Sequence, residues 1–384
     1  MFDAGTIGTT ANKLLQLDGS AKIPAVDGSL LTGIPPSFTK SASDPTISTN
    51  PSGGVGSLWA NTTSGEVYCC TDATAGENVW TNVGAGTGNI SPAYWLAENY
   101  GYMMGGAPNP LINNIQRFPF ASSSDAVDVA NLTVARGFVC GNSSATYGYA
   151  CGGSGPTNVI DKHQFDTSNN ATDVGNLLGN NSDCIASSSE TYGFVAGGYP
   201  NQNVVQKFSF ASDGNTTDHG DLTGTRAGGN TGGINSETHG YTSGGSGGST
   251  QRDKYAFASN VTAVDDGNHL AGHHSYANGC SSAINGYMVG GNISGAGSTN
   301  IIDKFAFSAG GQSTDVGDLT QGGYTGGHAS TADYGYKGGG GDSDQSRIEK
   351  FTFASDNNSV DTTASMLSLN GTNQSYAYGA SAQY

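Results

Sequence analysis

Basic residues are scarce in this chain of 384 residues, in which 14 Lys and Arg stand against 31 Asp and Glu for a formal net charge of −17. Such a charge repels phosphate backbones and anionic membrane surfaces, and it leaves no basic patch for nucleic acid. Long apolar runs are missing too, since no stretch approaches the roughly 20 residues needed to span a bilayer. The start, MFDAGTIGTTANKLLQLDGS, lacks the basic and apolar regions of a signal peptide. We therefore expect no nucleic-acid binding, no membrane insertion and no export by a signal peptide.

Paired cysteine motifs are absent as well. The chain has six cysteines and no C-x-x-C spacing: Cys69, Cys70, Cys140, Cys151, Cys184 and Cys280. The vicinal first pair could not form a bridge without strain, so a zinc knuckle or a dense disulfide scaffold is not expected. The last four are expected to be small buried residues in strands. A Cys140–Cys151 bridge across one hairpin is the alternative.

What the chain does contain is glycine and aromatic residues, with 61 Gly, 18 Tyr and 14 Phe, while charged residues make up only 12%. The phrase ETYGFVAGG (residues 190–198) recurs about every 46 residues. Its central small residue falls at Gly101, Gly148, Gly193, Gly240, Gly286, Gly335 and, in a degraded form, Ala377. A second block of the type IDKFAF and a third of the type STDVGDL follow in step. Each block alternates as a half-buried strand does, so one period predicts four short strands.

Four antiparallel strands in each period of 40–50 residues indicate a β-propeller blade, because one such sheet must stack on its neighbours to cover its faces. Six complete periods favour six blades. The degraded phrase SYAYGASAQY at the C-terminus either completes the ring or begins a seventh blade. The predicted fold class is thus all-β, a propeller over residues 89–384 with six blades favoured and seven as the alternative.

Within the repeat, Tyr192 and Phe194 are expected to point to one face and to pack on the adjacent blade. Gly193 would admit a neighbouring ring or backbone on the other face, and Gly197 and Gly198 would supply permissive dihedrals. A basic residue of the third strand and an aspartate of the fourth recur in every period, which predicts a cross-strand pair such as Lys207 with Asp218. Because these residues repeat, we expect a structural role for them and neither catalysis nor calcium binding.

The N-terminal ninety residues have a different style. Residues 1–36 contain two approximate copies of a nine-residue unit with Asp-Gly turns. This segment has too little apolar surface to fold alone, so several copies are expected to intertwine as a trimeric stalk. Its apolar positions are Leu14, Leu15, Leu17, Ile23, Val26, Leu30 and Leu31. Residues 37–56 are predicted to be a linker, and residues 57–88 a small three-stranded sheet packed by Trp59, Tyr68 and Trp80. The alternative for that sheet is a cap on the propeller.

Two resemblances follow from these motifs. GFVAGG, KFSF and DLTGTR (ending at Arg226) resemble the Kelch repeat, although the tryptophan usual on its fourth strand is absent. ANKLLQLDGSAKIPAVDGSLLTG, LWANTTSGEVY with VWTNVG, and IDKFAFSAGGQSTDVGDLT together resemble fibre or appendage proteins of tailed bacteriophages, similar to those of marine phages. The resemblance implies a virion protein, assembled in the host cytoplasm, whose residues 1–36 anchor it to other virion proteins of the tail or head.

It also implies that the propeller attaches to a host-surface glycan or protein. The connections between blades carry candidate contact residues with planar or aromatic side chains, namely Arg226, His273, His274 and Tyr324. No catalytic residue, cofactor or metal site is expected, because no carboxylate pair stands apart from the repeat and the histidines are scattered. The alternatives are an architectural virion protein without a receptor and, less favoured, a glycan hydrolase.

Overall fold

Strands account for all of the regular structure in the part of the chain that the structure describes. This computed structural model describes residues 38–83, 99–106, 110–155, 157–227, 233–245, 250–260, 262–270, 275–293, 296–340, 346–367 and 378–380. The chain divides into two units, Met1–Ala93 and Tyr94–Tyr384. The expected stalk, including Leu14, Leu15, Leu17, Ile23, Val26, Leu30 and Leu31, lies outside the described residues.

The first unit contains a four-stranded sheet in the order β1-β2-β3-β4. Its strands are β1 (Thr39–Ser41), β2 (Leu58–Asn61), β3 (Val67–Asp72) and β4 (Val79–Asn82). Tyr68 and Trp80 are buried, and the Trp59 ring meets Trp80 edge-on at 6.0 Å. The three expected strands are present, and the segment predicted as a linker adds β1, which pairs in parallel with β2. The Trp59 Nε1 group donates to the Ser43 carbonyl at 2.9 Å, so backbone and indole bonds both tie this segment to the sheet.

Among its described residues, the second unit contains six four-stranded sheets, numbered here as blades 1 to 6, and a short hairpin. In every blade, the strand named first below lies innermost and neighbouring strands pair antiparallel. The strands are β30 (Tyr378–Ala380), β5 (Tyr100–Gly106), β6 (Ile112–Pro119) and β7 (Val127–Asn131) in blade 1; β8 (Cys140–Ser143), β9 (Tyr147–Cys151), β10 (Val159–Gln164) and β11 (Thr172–Asn176) in blade 2; and β12 (Ile185–Ser188), β13 (Tyr192–Ala196), β14 (Gln202–Ser209) and β15 (Thr217–Arg226) in blade 3.

The other three blades have the same plan. Their strands are β16 (Ile234–Asn235), β17 (His239–Ser243), β18 (Gln251–Ala256) and β19 (Val264–Asn268) in blade 4; β20 (Asn278–Ser281), β21 (Asn285–Val289), β24 (Ile301–Ala306) and β25 (Thr314–Asp318) in blade 5, with the hairpin β22 (Asn292–Ile293) and β23 (Gly297–Ser298); and β26 (Gly327–Ser330), β27 (Tyr334–Gly338), β28 (Arg347–Thr352) and β29 (Val360–Ser365) in blade 6.

Buried apolar clusters join each blade to the next and blade 6 to blade 1. In the closing cluster, Met103 and Phe118 of blade 1 pack with Tyr336 of blade 6. The degraded C-terminal phrase supplies β30, whose Tyr378 lies opposite Met104 in blade 1. The described sheets therefore form a six-bladed β-propeller in which the first blade contains strands from both ends of the unit, and no seventh blade is needed to close the ring.

Most residues of the aromatic phrase ETYGFVAGG occupy the positions predicted for them. Phe194 is fully buried and stacks on Phe257 of blade 4 at 4.6 Å between ring centroids. A Cβ atom on Gly193 would lie 2.5 Å from the Phe208 ring, so only glycine fits there. Gly197 and Gly198 have φ angles of 60° and 117°, which favour glycine. Tyr192 differs from the prediction, because it is 38% exposed at the start of its strand.

The predicted pair between Lys207 and Asp218 is wrong. Lys207 lies opposite Thr217, and Asp218 lies opposite Gln206, so the two side chains point to opposite faces of the sheet. The Asp218 carboxylate accepts a hydrogen bond from the Gly220 amide at 2.9 Å beside a register shift in the strand pair. The Lys207 ammonium lies 5.1 Å from the Tyr192 ring centroid. Both residues thus have structural roles, but not with each other.

The four cysteines of the ring are buried free thiols, as expected. Cys140 lies opposite Cys151 in register, yet its Sγ atom is 2.7 Å from the Sγ atom of Cys184 in blade 3. Burial raises the pKa of the Cys140 thiol well above its ordinary value. These sulfurs fill the seam between blades 2 and 3 as apolar groups.

Candidate recognition face

The connections that follow the double glycines and the connections between consecutive blades meet at one end of the ring, which we call the upper face. The Gly198 amide of a double glycine donates at 2.6 Å to the carbonyl of Arg226, the residue at which β15 ends and an inter-blade connection begins. Gly106, Gly153 and Gly291 donate in the same way to Arg136, Asn181 and Gly323. The two sets of connections, which sequence reasoning treated separately, therefore belong to a single surface.

A buried side chain fixes each inter-blade connection at its base. On the third strand of each blade, one carboxylate or amide oxygen accepts a backbone N–H from the connection that arrives from the preceding blade. The acceptors, all at most 5% exposed, are Gln116, Asp161, Gln206, Asp253, Asp303 and Glu349. Sequence reasoning missed this contact because the acceptor is Asp in three blades, Gln in two and Glu in one, next to the more uniform Lys or Arg.

Arg226 belongs to this internal network and does not present its side chain to a receptor. The residue is 5% exposed, its guanidinium pairs with Asp253 at 3.0 Å, and Nη1 donates to the Gly244 carbonyl at 3.0 Å. Arg136 and Asp161 form the corresponding pair between blades 1 and 2 at 3.1 Å, with both side chains fully buried. The prediction of Arg226 as a contact residue is thus wrong, because the carboxylate of the next blade draws it into the seam.

The other three predicted contact residues are not tested by the structure. Tyr324 lies in the connection between blades 5 and 6, is partly exposed and stays a prediction. His273 and His274 fall outside the described residues. The three remain expectations from the sequence.

Tyr199, which sequence reasoning did not single out, is the most exposed of the large apolar or aromatic side chains on the described upper face, at 65%. Its backbone is held firmly, because its amide donates to the Ser182 carbonyl at 2.6 Å and its carbonyl accepts from the Ser182 amide at 3.2 Å. Next to Ser182, burial raises the pKa of the Asp183 carboxyl to about 6. A fixed, exposed aromatic ring with polar neighbours can stack on the apolar face of a ligand while those neighbours form hydrogen bonds.

Blade 6 departs from the repeat along one row of three paired residues. His328, Lys337 and Glu349 lie opposite one another on its first three strands. At the His328 position, blades 1, 2, 3 and 5 have only small residues: Gly379, Gly141, Ala186 and Gly279. At the Lys337 position, the other five blades have uncharged residues: Met103, Ala150, Val195, Thr242 and Met288. Comparing the blades position by position would have found this departure in the sequence, where DYGYKGGG stands alone in carrying a lysine.

The three side chains of this row are buried, with His328 at 4%, Lys337 at 7% and Glu349 at 5% exposure. Burial lowers the pKa of Lys337 to about 8, although the nearby Glu349 opposes the shift. Burial likewise lowers the pKa of His328 to about 4, so its imidazole is neutral at pH 7. Its Nδ1 atom has no hydrogen-bond partner among the described residues. An ionisable cluster of this kind is unusual in an interior and marks a candidate site.

The described segments have neither the side-chain clusters of metal sites nor the long apolar helices that cross membranes. They contain no group of three or more His, Cys, Asp and Glu side chains arranged to hold a metal ion. They also contain no helix long and apolar enough to cross a membrane. A cavity of about 80 Å³ lies at the seam of blades 6 and 1, at the end opposite the upper face, and is lined by Phe118, Phe120, Tyr336 and Lys350 among others. It is smaller than the several hundred Å³ usual for small-molecule pockets.

The fold and this surface define the class of protein as a six-bladed β-propeller whose inter-blade connections are held at one face by buried side chains. Comparisons with known proteins add little to that class. No family model matches the chain, and no curated protein matches it. A solved structure titled "Structure of YjhT" is similar at a TM-score of 0.47 and 11% sequence identity, covering 58% of this chain and 81% of that one. A likeness this distant says nothing about function.

Proposed function

We propose that this chain is a fibre or appendage protein of a tailed bacteriophage, in which the propeller attaches to a host-surface molecule through its upper face. The observation that carries the proposal is the convergence of both sets of connections on one surface, where buried side chains hold the base of each inter-blade connection and Tyr199 remains exposed. Loops on a rigid scaffold are the usual place for recognition. The resemblance of the N-terminal motifs to phage fibres supplies the biological context.

Several features favour binding over hydrolysis. Glycan hydrolysis requires two carboxyl groups placed on either side of a bond, about 5 to 9.5 Å apart. The buried carboxylates beneath the described upper face are instead occupied by backbone amides of the connections. The proposed anchor is residues 1–36, with other virion proteins as partners. A trimer of such chains would turn weak single-ring contacts into useful avidity.

The test is binding of the full-length protein to cells. Fluorescently labelled protein is incubated with a panel of marine bacterial isolates, and an apparent Kd is measured on a strain that binds. We expect Tyr199→Ala to weaken binding about tenfold or more, as loss of an exposed aromatic anchor does. Tyr192→Ala is the matched control, since Tyr192 is also partly exposed but begins its strand at the opposite end of the ring.

Three results would contradict the proposal. Failure to bind any isolate would remove the attachment role, as would equal losses in the Tyr199 and Tyr192 variants. Release of reducing ends from host polysaccharide by the purified protein would replace attachment with hydrolysis. In an image of the intact particle, a ring whose upper face is covered by other virion proteins would make the protein architectural.

A further inference from the structure

In two seams of the ring, a lysine of the third strand pairs with a carboxylate of the following blade. The Lys162 ammonium group of blade 2 donates to both carboxylate oxygens of Asp213 in blade 3, at 3.0 Å each. Lys304 of blade 5 likewise pairs with Asp356 of blade 6. Each aspartate ends the sequence FASD, whose phenylalanine stacks on a tyrosine of the preceding blade. The chain therefore supplies its own carboxylate to the lysine at these two seams.

The seam of blades 6 and 1 has the lysine but not the aspartate. The corresponding sequence in blade 1 is FASS, so Ser123 stands at the aspartate position. Lys350 of blade 6 is the equivalent lysine, since both it and Lys162 lie opposite the second tyrosine of the neighbouring strand. The Lys350 ammonium group lies 5.0 Å from the Tyr334 ring centroid, and it has no ion pair or hydrogen bond with any residue that the structure describes.

The other three seams have different arrangements. Between blades 4 and 5, Lys254 approaches Asp266 of its own blade at 3.8 Å. In blade 4, the sequence FASN places Asn260, which is close to aspartate in size, at the aspartate position. Between blades 1 and 2, Arg117 replaces the lysine. The seam of blades 6 and 1 therefore combines a lysine that lacks a carboxylate with a small residue at the aspartate position.

The cavity of about 80 Å³ at this seam is lined by both Lys350 and Ser123. Its walls also include the Phe118, Phe120 and Tyr336 rings, and its lining residues all lie in described stretches of the chain. One water molecule needs about 10–15 Å³ by the same measure. The cavity is thus too small for a whole sugar, but it has room for a carboxylate group with a short aliphatic chain.

We propose that the cavity at the seam of blades 6 and 1 binds a short aliphatic carboxylate, whose charged group takes the place of the aspartate side chain of the equivalent seams. Lys350 is the recognising cation, and the Phe118 and Phe120 rings contact the aliphatic part of the ligand. The hydrogen bond from an ammonium group to a carboxylate is charge-assisted and therefore stronger than a neutral one. This site is independent of the proposed function, because it lies at the end of the ring opposite the upper face.

The test uses the full-length chain and ligand-observed NMR titration at pH 7. Propionate is the probe of a free acid, N-acetyl-aspartate amide is the probe of an aspartate side chain from another protein, and propionamide is the uncharged control. We expect propionate to bind about tenfold or more tightly than propionamide, because propionamide cannot form the charged hydrogen bond. The tighter of the two charged probes shows whether the site prefers a free acid or a side chain.

Two variants and a matched control assign the binding to this seam. Lys350→Met removes the cation and should weaken propionate binding about tenfold or more. Ser123→Asp should weaken it as much, because it restores the chain's own carboxylate, and it should fold because two seams already contain this pair. Lys304→Met is the control, since it removes the same charge where Asp356 already occupies the lysine, and propionate binding should stay within about twofold of native.

Four results would overturn the inference. Propionamide that binds as tightly as propionate would remove the role of the charge, and undiminished propionate binding by the Ser123→Asp variant would place the ligand elsewhere. Equal losses in the Lys350 and Lys304 variants would show a general effect of charge. Displacement of propionate by inorganic phosphate at equal concentration would show a site for any anion and not for a carboxylate.

Discussion

The pair of Arg136 and Asp161 between blades 1 and 2 offers a sharp test of how the seams are held. Asp161 accepts the Thr133 amide at 2.9 Å and the Thr133 hydroxyl at 2.6 Å, and it pairs with Arg136. Between blades 2 and 3, the same two positions are Asn181 and Gln206, without a charge. Equivalent seams of the ring are thus held by a charged pair in one case and by two neutral side chains in the other. Replacing the charged pair by the neutral residues tests whether Arg136 and Asp161 stabilise the seam as a unit.

The expected magnitudes follow from burial. Asp161→Gln keeps an acceptor for the Thr133 amide but leaves the fully buried Arg136 guanidinium without its counter-charge, which costs about 3–5 kcal/mol. Arg136→Asn leaves the buried Asp161 carboxylate with the Thr133 donors alone and should cost about as much. The double variant reproduces the neutral seam of blades 2 and 3. Its loss should be about 1–2 kcal/mol, which gives a coupling energy of at least about 4 kcal/mol.

The free energy of unfolding of all four proteins is measured by urea titration, with tyrosine and tryptophan fluorescence as the signal and the slope with denaturant checked for constancy. Gln206→Asp is the reciprocal control, because it places a carboxylate where the connection supplies Asn181 in place of an arginine. It should destabilise the protein. The reasoning would be refuted if the double variant lost as much free energy of unfolding as the two single variants together. That result would mean that the arginine and the aspartate act independently.

Three further predictions concern the close approach of glycine, ring closure and buried histidine. Gly193→Ala should lower the free energy of unfolding by about 1–3 kcal/mol, because the new Cβ atom would overlap the Phe208 ring. Gly224→Ala is the control, since open space surrounds Gly224, and it should change the free energy of unfolding by less than about 0.5 kcal/mol. Equal effects of the two variants would contradict the packing argument. Deleting residues 378–384 removes β30 from blade 1 and should lower Tm by roughly 5–10 °C in calorimetry, and an unchanged Tm would mean that this strand does not close the ring. His328 should lower the free energy of unfolding in acid. Its pKa in the folded protein is about 4, below the ordinary 6.5, so as the pH falls from 6.5 to 4 the unfolded chain binds the proton and the folded protein does not. That window should remove up to about 3 kcal/mol, and His328→Gly should flatten the slope of the free energy of unfolding with pH; an unchanged slope would show that His328 is not the group that titrates.

Periodicity was enough to predict the blades, their four strands and the preference for six, because every period must bury the same faces against a neighbour. It also placed Phe194, Gly193, Gly197 and Gly198 correctly. It failed for Lys207 and Asp218, since recurrence at fixed spacing does not give the register, and a register shift in the third and fourth strands moves the two side chains to opposite faces. It also could not place Arg226, because the partner carboxylate belongs to the next period.

The candidate sites escaped the same reasoning for a related physical cause. A repeat describes what every blade needs for folding, so a functional residue is a departure from it. Such a departure is found by comparing the blades position by position, and the strand pairs show which residues occupy equivalent positions. Lys337 and His328 stand where the blades compared have small or uncharged residues, so they add a desolvation cost at these two positions. Residues that destabilise a fold are typically kept where they serve a function. Natural proteins most often depart from the residue choices that favour folding at their functional sites. Blade 6 therefore departs from the repeat at these two buried positions, and that departure gives a physical reason to look for recognition chemistry there.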